Sequence, residues 1–211
     1  MKGGSVYYNS AVRNGTLQFY GLPPTESFQL REFAAFRCNL IAESGVLLER
    51  FQTCDVIYCE PPFPAGLRTF DKRAKESTPK YSDFCVAFSS VLRSLNKPRY
   101  VILNKMLSGF LDTPNKVCSV MLNNASVELG IWGGDEPPVH GFRKIRTNLD
   151  LCSWLGRRYR KIGDFTCGYG SPLLAFVGAR NGNSFVASDY DPHCITAIKK
   201  RTESLVAGLD P

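Results

Sequence analysis

Apolar and polar positions alternate along the chain in a way that predicts strands and helices in turn. Short apolar runs rich in β-branched residues, and stopped by glycine, proline or charge, predict strands at residues 17–20, 55–59, 99–103, 117–122, 126–132, 161–165 and 184–188. Apolar positions near a helical period predict helices at residues 27–41, 81–95, 172–179 and 191–205, with weaker helical character from 145 to 158. This order predicts an α/β fold with a mostly parallel central sheet and helices on both faces.

Size and composition narrow the class of protein. The 211 residues are 44% hydrophobic and 21% charged, which is typical of a globular protein and predicts a single domain. No apolar run is long enough to cross a membrane and the amino terminus lacks a signal-peptide pattern, so we expect a cytoplasmic protein. The eight cysteines form no CxxC pair and only two histidines are present, so no metal site is predicted and the cysteines are interpreted as small apolar residues.

The charge balance favours polyanionic partners. The formal net charge is +7, and basic residues concentrate in the polar segment 64–80, which is interpreted as a loop. Its five cations are Arg68, Lys72, Arg73, Lys75 and Lys80. Such a loop suits contacts with nucleic-acid phosphates, while a solvated surface loop explains the same charges equally well.

A glycine-rich turn, DFTCGYGS at 164–171, links a predicted strand to a predicted helix. Gly168 and Gly170 allow a tight turn and let backbone amides approach a ligand. The next strand ends at Asp189, where a carboxylate can accept hydrogen bonds from a ribose diol. The combination favours a nucleoside-containing cofactor, although an ordinary βα turn followed by a helix capped by Asp191 has the same pattern. The aspartate that opens the turn disfavours phosphate and favours a cationic ligand such as S-adenosylmethionine (SAM).

A second motif follows the strand at 55–59, where an apolar run ends at a carboxylate and two prolines in the stretch CDVIYCEPPF. Glu60 supplies an acceptor, Pro61 and Pro62 stiffen the backbone, and Phe63 offers a ring on which a base can stack. A strand that ends at prolines before a surface turn is the simpler interpretation of the same residues. The choice between the two depends on what lies beside this strand end.

These motifs together resemble those of the permuted, β-type amino-group DNA methyltransferases. The turn DFTCGYGS resembles the D-P-F-C-G-S-G-T motif of that family, and FVASDYDPHCITAIKKR resembles the strand, acid and helix that follow it. HGFRKIRTNLDLCSWL resembles the H-x-x-x-K-P segment, and EPPF resembles the catalytic [DNS]-PP-[YFW] motif. The order of the motifs is also that of the MT-A70-like adenine methyltransferases, and the resemblance covers roughly residues 50–205.

The resemblance implies a Rossmann-like, permuted SAM-dependent methyltransferase fold, with a catalytic half at 16–139 and a SAM-binding half at 140–211. The implied catalytic residues are Glu60, Pro61, Pro62 and Phe63. The implied SAM-binding residues are Lys144, Asp164, Phe165, Thr166, Gly168, Gly170, Asp189 and Tyr190. The glutamate side chain and the Pro61 carbonyl would hold the exocyclic amine of a flipped base in line with the methyl group, and the cations of segment 64–80 would contact the DNA backbone.

The implied activity is methyl transfer to DNA, with adenine N6 favoured over cytosine N4 because the N4 enzymes tend to carry serine before the two prolines. Glu60 stands where the family has Asp, Asn or Ser, and its extra methylene moves the acceptor by about a bond length. Two alternatives therefore stay open: a catalytically silent subunit that binds nucleic acid for a partner, and an RNA adenine methyltransferase.

No segment is large enough for a separate target-recognition domain. The resemblance therefore implies low sequence specificity, or specificity supplied by a homodimer mate or a partner subunit. Compactness of this kind is typical of a phage or mobile-element enzyme that protects DNA from restriction.

Overall fold

The computed structural model describes residues 23–68, 77, 79–95, 99–102, 110–111, 116–122, 125–133, 148–168 and 183–207. The strands are β1 Ser27–Leu30, β2 Phe33–Arg37, β3 Val56–Cys59, β4 Arg99–Ile102, β5 Lys116–Leu122, β6 Ala125–Trp132, β7 Lys161–Asp164 and β8 Ser184–Asp189. The helices are α1 Ser44–Phe51, α2 Tyr81–Ser94, α3 Asn148–Arg158 and α4 Pro192–Ala207. Strands β3 to β8 and helices α2, α3 and α4 confirm the elements predicted at those positions.

The eight strands form one sheet in the order β1-β2-β8-β7-β3-β4-β6-β5. The five central strands, from β2 to β4 in this order, are parallel to one another. The outer strands β1, β6 and β5 pair in antiparallel fashion. An α/β fold with a mostly parallel centre is therefore confirmed.

The order in which strands are added to the sheet changes side between two central strands, β3 and β7. The strand that follows β3 in the chain, β4, is added to the sheet on the side of β3 away from β7. The strand that follows β7 in the chain, β8, is added on the side of β7 away from β3. The two strands pair in parallel, with Val56 opposite Ile162 and Ile57 opposite Gly163. Ligands of open α/β sheets bind beyond the carboxyl ends of the strands at such a switch point. The fold thus places a candidate site beyond the ends of β3 and β7.

Helices cover both faces of the sheet. On the α3/α4 face, helix residues pack with the inward side chains of the central strands; this cluster includes Tyr58, Trp154, Leu155, Ile162, Phe185, Ile195 and Ile198. On the α1/α2 face the corresponding cluster includes Leu47, Phe51, Ile57, Phe88, Leu92 and Phe165. Because successive side chains of a strand point to opposite faces, these two clusters show which face each strand residue serves.

The helix predicted at 27–41 is wrong, because the structure has the strands β1 and β2 there. Phe28, Phe33 and Phe36 are spaced near a helical period, but β2 pairs with β8 along its whole length. The chain reverses between β1 and β2 at Arg31, whose φ is 52°. Pairing with a distant strand, which local spacing does not report, decided this conformation.

One further segment differs from its predicted structure, and helix α1 has no counterpart among the predicted elements. Residues 64–68, predicted as the start of a polar loop, are helical. The predicted strand at 17–20 and the predicted helix at 172–179 lie outside the described residues.

In the described part of the chain, six cysteines are buried thiols outside any disulfide: Cys38, Cys54, Cys59, Cys85, Cys167 and Cys194. Burial raises the pKa of the Cys38 and Cys54 thiols to about 12, so both stay protonated at neutral pH. The described residues contain no group of three His, Cys, Asp or Glu side chains placed to hold a metal ion. Within the same ranges, no helix has the length and apolar character needed to cross a membrane.

Candidate active site

Three acidic residues end three adjacent strands of the sheet. Glu60 directly follows β3, and Asp164 and Asp189 are the last residues of β7 and β8. Each acid is separated by an even number of positions from a strand residue that packs in the α3/α4 cluster. Because side chains along a strand alternate between the two faces of the sheet, all three acidic side chains lie on the α3/α4 face. The charges of Glu60 and Asp189 both act on the Asp164 carboxyl. The switch point of the sheet therefore carries one connected acidic site.

Asp164 is the most deeply buried of these acids, with 1% of its surface exposed. One carboxylate oxygen, Oδ1, accepts a hydrogen bond from the Thr166 backbone N–H at 2.9 Å. Burial raises the pKa of the Asp164 carboxyl well above its ordinary value, the Thr166 N–H opposes this, and the charges of Glu60 and Asp189 add to it. A cation placed beside this carboxyl would restore its ionised form.

Asp189 ties the glycine-rich turn to the next strand. Its Oδ2 accepts a hydrogen bond from the Gly168 N–H at 2.8 Å, and its Oδ1 accepts one from the Asp191 N–H at 2.9 Å. Burial raises the pKa of the Asp189 carboxyl to about 6, and these two N–H groups limit the rise. Each carboxylate oxygen has a second lone pair, so a ribose hydroxyl could still bind here.

The turn after β7 depends on a glycine at one position. Gly168 has a φ of +52°, in the left-handed region that side chains with a Cβ disfavour. Just before it, the Cys167 N–H donates to the Ser188 carbonyl at 3.1 Å, which extends the contact with β8 beyond the strand. The tight turn predicted from the sequence is present, whereas Gly170 lies outside the described residues.

The interpretation of Asp191 as a helix cap is also correct. Its Oδ1 accepts a hydrogen bond from the His193 N–H at 2.9 Å, and Pro192 is the first residue of α4. The strand end therefore serves two purposes, since Asp189 orders the turn and Asp191 begins the helix.

Glu60 is partly exposed at the end of the buried strand β3. The Tyr58 hydroxyl donates a hydrogen bond to Glu60 Oε1. Burial raises the pKa of the Glu60 carboxyl above its ordinary value, and the hydrogen bond from Tyr58 acts in the opposite direction. The acceptor that the motif supplies is thus oriented by a neighbour on its own strand.

The two prolines after Glu60 lead into a short helical segment. Pro61 is buried, and the Tyr81 hydroxyl donates to the Pro62 carbonyl at 3.2 Å. The Phe63 carbonyl accepts a hydrogen bond from the Leu67 N–H at 2.9 Å, so the helical turn begins directly after Phe63. The Phe63 ring is 38% exposed, one of few large apolar side chains that are exposed in the described part of the chain.

Other predicted site residues have different surroundings. The Phe165 ring is in the core, 5.7 Å from the Phe51 ring and 5.0 Å from the Phe88 ring between centroids, so only its backbone can face a ligand. Tyr190 is half-buried, and its carbonyl accepts a hydrogen bond from Arg37 Nε at 3.3 Å. Thr166, described above, lies beside Asp164.

The predicted nucleic-acid contacts are described only in part. Arg68 and Lys80 are both exposed, at the beginning and the end of segment 64–80. Lys72, Arg73 and Lys75, and the predicted cofactor residue Lys144, lie outside the described residues. The hydrogen bond from Tyr81 to Pro62 joins the two ends of the segment that carries these cations.

Sequence reasoning missed Tyr58 and Tyr81. The first had a local signal, because residues two apart on a strand share a face and Tyr58 precedes Glu60 by two. The second had none, since it is 19 positions from Pro62 and contacts it only through the fold.

The fold of this chain is similar to that of solved protein structures. No protein-family model matches the sequence, and no curated protein sequence is significantly similar to it. The crystal structure of M1.HpyAVI has a TM-score of 0.55 at 13% identity, covering 81% of this chain and 98% of that chain. M1.HpyAVI in complex with SAM has the same TM-score and identity, over 80% and 98%.

A second protein has the same fold. TTHA0409 from Thermus thermophilus, a proposed DNA modification methylase, has a TM-score of 0.51 at 15% identity over 79% of this chain and 94% of that chain. At these identities the likeness concerns architecture. The α/β fold that the motif resemblance implies is thereby confirmed.

Proposed function

We propose that the chain is a SAM-dependent methyltransferase that modifies the exocyclic amine of a base in DNA, with adenine N6 as the acceptor. The observation that carries this proposal is the parallel pairing of β3 with β7, which makes neighbours of the strand ends that lead into Glu60-Pro61-Pro62-Phe63 and into the turn around Gly168. Open α/β sheets bind their ligands in the crevice beyond such strand ends. The sequence motifs and the likeness to TTHA0409 and to the SAM complex of M1.HpyAVI support the same activity.

The β7–β8 side of the crevice has the donors and acceptors that SAM requires. SAM supplies an activated methyl group on a sulfonium cation, together with a cationic amine and a ribose diol. Asp164 offers a buried carboxylate whose charge a cation would stabilise, and Asp189 keeps lone pairs for the ribose hydroxyls. Gly168 supplies the left-handed backbone conformation that gives the turn its shape.

The β3 side of the crevice would hold the base. Glu60 and the Pro61 carbonyl are acceptors for the two N–H groups of an exocyclic amine, and holding both orients the nitrogen lone pair. The raised pKa of Glu60 suits it to take up the proton that the amine loses. The exposed Phe63 ring would stack on the base after the base has flipped out of the DNA double helix.

Cations beside the catalytic motif would contact the phosphate backbone. Arg68 follows EPPF within the short helical segment, and Lys80 precedes α2. Contacts of this kind position the duplex without reading its sequence, so specificity would come from a dimer mate or a partner subunit.

A specific feature favours a second candidate, a silent subunit that binds nucleic acid for a partner. Glu60 has one methylene more than the usual aspartate, and its Oε1 already accepts the Tyr58 hydroxyl. In that case the fold and the cations would be retained while the amine is no longer held for transfer. RNA in place of DNA is a substrate variant of the leading proposal.

Incubation with methyl-labelled SAM and unmethylated DNA or RNA, followed by nucleoside mass spectrometry, tests these candidates. We expect labelled N6-methyladenine in DNA, with a loss of about a hundredfold in Glu60→Ala. Glu49→Ala is the matched control, because Glu49 is exposed on α1. Calorimetric binding of SAM without transfer would identify the silent subunit, and label at cytosine N4 or in RNA would correct the substrate. Absence of both binding and label would reject the proposal.

A further inference from the structure

A second group of cations lies far from EPPF, where α3 ends and β7 begins. This distal cationic surface consists of Arg157, Arg158, Arg160 and Lys161. All three arginines are exposed, and Lys161 is partly exposed. They are therefore available to a partner in solution.

The distal cationic surface is at the opposite end of the sheet from the candidate active site. Lys161 is the first residue of β7 and Asp164 is the last, so the two sites are separated by about 10 Å along the strand. The cations lie where the parallel strands begin, and the acids lie where they end. Arg31, at the turn between β1 and β2, lies on the same edge because β2, β8 and β7 run parallel. The cations thus extend along the amino-terminal edge of three adjacent strands.

Internal ion pairs do not account for these charges. None of the four residues forms a salt bridge within the part of the chain that the structure describes. The Arg158 guanidinium lies 5.5 Å from the centre of the Trp154 ring, and the Lys161 ammonium donates to the Thr53 hydroxyl. These contacts orient two of the cations without neutralising them.

The backbone that carries the cations is held in place. Asp55 Oδ2 accepts hydrogen bonds from the N–H groups of Arg160 and Lys161, at 3.0 and 2.8 Å. The Asp55 N–H in turn donates to the Lys161 carbonyl at 2.8 Å. Asp55 offsets part of one charge, but it also fixes the turn, so less side-chain and backbone freedom is lost when an anion binds.

We propose that the distal cationic surface binds the phosphate backbone of duplex DNA, outside the segment held at the active site. Guanidinium groups match phosphate geometry with two parallel hydrogen bonds, and three arginines within four positions can engage neighbouring phosphates. The choice of DNA among polyanions rests on the proposed function. Because these contacts carry no base information, the surface would hold the enzyme on DNA in a sequence-independent way.

The salt dependence of DNA binding tests the surface without requiring methyl transfer. The variant Arg157→Ala/Arg160→Ala removes two exposed guanidinium groups and leaves the contacts of Arg158 and Lys161 intact. Each phosphate contact contributes about −0.9 to the slope of log Kobs against log salt, so we expect the slope to become shallower by about 2. Fluorescence anisotropy with a labelled duplex in a salt series measures this, and calorimetry is expected to show unchanged SAM affinity.

Matched variants separate this contact from net charge and from misfolding. Lys199→Ala/Lys200→Ala removes the same charge from α4, where both lysines lie near Glu203, and is expected to keep the slope. Arg157→Lys/Arg160→Lys keeps the charge and is expected to retain most of the slope. Thermal unfolding of each variant reports whether the fold is intact.

Several results would overturn the proposal. A slope unchanged in Arg157→Ala/Arg160→Ala would do so, as would an equal change in the α4 control. Loss of binding to phosphatidylserine vesicles with unchanged DNA binding would identify a lipid surface instead. If the wild type transfers methyl groups but the slope is unchanged in Arg157→Ala/Arg160→Ala, the DNA-binding role of the surface is rejected and the proposed activity stands. If the slope becomes shallower in that variant but the wild type transfers no methyl group, the surface is supported and the proposed activity is rejected.

Discussion

The Tyr58 hydroxyl donates a hydrogen bond to the carboxylate of Glu60, two residues further along the chain. Tyr58 is 1% exposed and packs in the α3/α4 cluster, so its hydroxyl is fixed by the core. The Glu60 oxygen that we propose as the acceptor is therefore oriented by a residue of the strand that precedes it. A longer side chain than the usual aspartate can be held in one position by such a contact.

Replacing Tyr58 by Phe removes this donor while retaining the ring. The hydrogen bond stabilises the ionised form of Glu60, so its loss raises the pKa of that carboxyl further. A hydrogen bond to a charged group contributes about 1.5–3 kcal/mol, and we expect kcat to fall by about tenfold on the acidic side of the pH profile, with partial recovery as the pH rises. Rates of methyl transfer across a pH series measure the effect. Wild-type and variant profiles of identical shape would contradict it.

The Tyr81 hydroxyl is the second anchor of the catalytic motif, through the Pro62 carbonyl. Tyr81→Phe removes that hydrogen bond, and its ring can still stack on Phe84, 6.0 Å away between centroids. We expect a loss of about 1 kcal/mol in the free energy of unfolding and about a tenfold loss in kcat, because the loop is less well positioned. SAM affinity by calorimetry serves as the control, since Tyr81 is on the base side. A weakened SAM affinity with unchanged kcat would show that the contact serves the cofactor instead.

Gly168 is required for its backbone conformation and not for space. A Cβ added at Gly168 has no neighbour within 4 Å, but its φ is +52°. Gly168→Ala should therefore cost about 1–2 kcal/mol of stability and weaken SAM binding through strain in the turn. Gly45→Ala is the matched control: this site on α1 is equally open but has no positive φ, so alanine should be neutral or stabilise by up to about 1 kcal/mol. Equal results for the two variants, by urea unfolding and calorimetry, would contradict the role given to the φ of Gly168.

Local sequence could identify the two strand ends of the candidate active site, because each is marked by its own residues. Apolar strands that end at Glu60 and at the glycine-rich turn predict neighbouring positions at the carboxyl edge of a parallel sheet, and the pairing of Val56 with Ile162 confirms this. Sequence could not identify β1 and β2. Phe33 and Phe36 fit a helical spacing, and only pairing with β8 makes them part of a strand. Contacts between distant segments, such as Tyr81 with Pro62, had no local signal either.

The buried acids make stability depend on pH in a direction that can be worked out. For Asp189 the folded pKa is about 6 and the ordinary value 3.8, so between these values the folded chain holds a proton that the unfolded chain has lost. The free energy of unfolding therefore falls as the pH rises from about 4 through 6, by about 3 kcal/mol from this residue. Asp164 and Glu60, whose pKa values are also raised, contribute in the same direction.

Urea unfolding of the wild type and of Asp189→Asn at a series of pH values isolates this contribution. Asparagine does not titrate, so subtraction leaves the titration of Asp189 together with the effect of its charge on Asp164, and the wild type should lose stability relative to the variant as the pH rises from about 4 to 6. A cation bound beside these carboxylates favours their ionised form, so saturating SAM is expected to reduce the loss. A difference that is flat with pH, or one that grows in favour of the wild type, would mean that Asp189 is ionised in the folded protein without cost. Its carboxylate would then be stabilised by the Gly168 and Asp191 N–H groups alone.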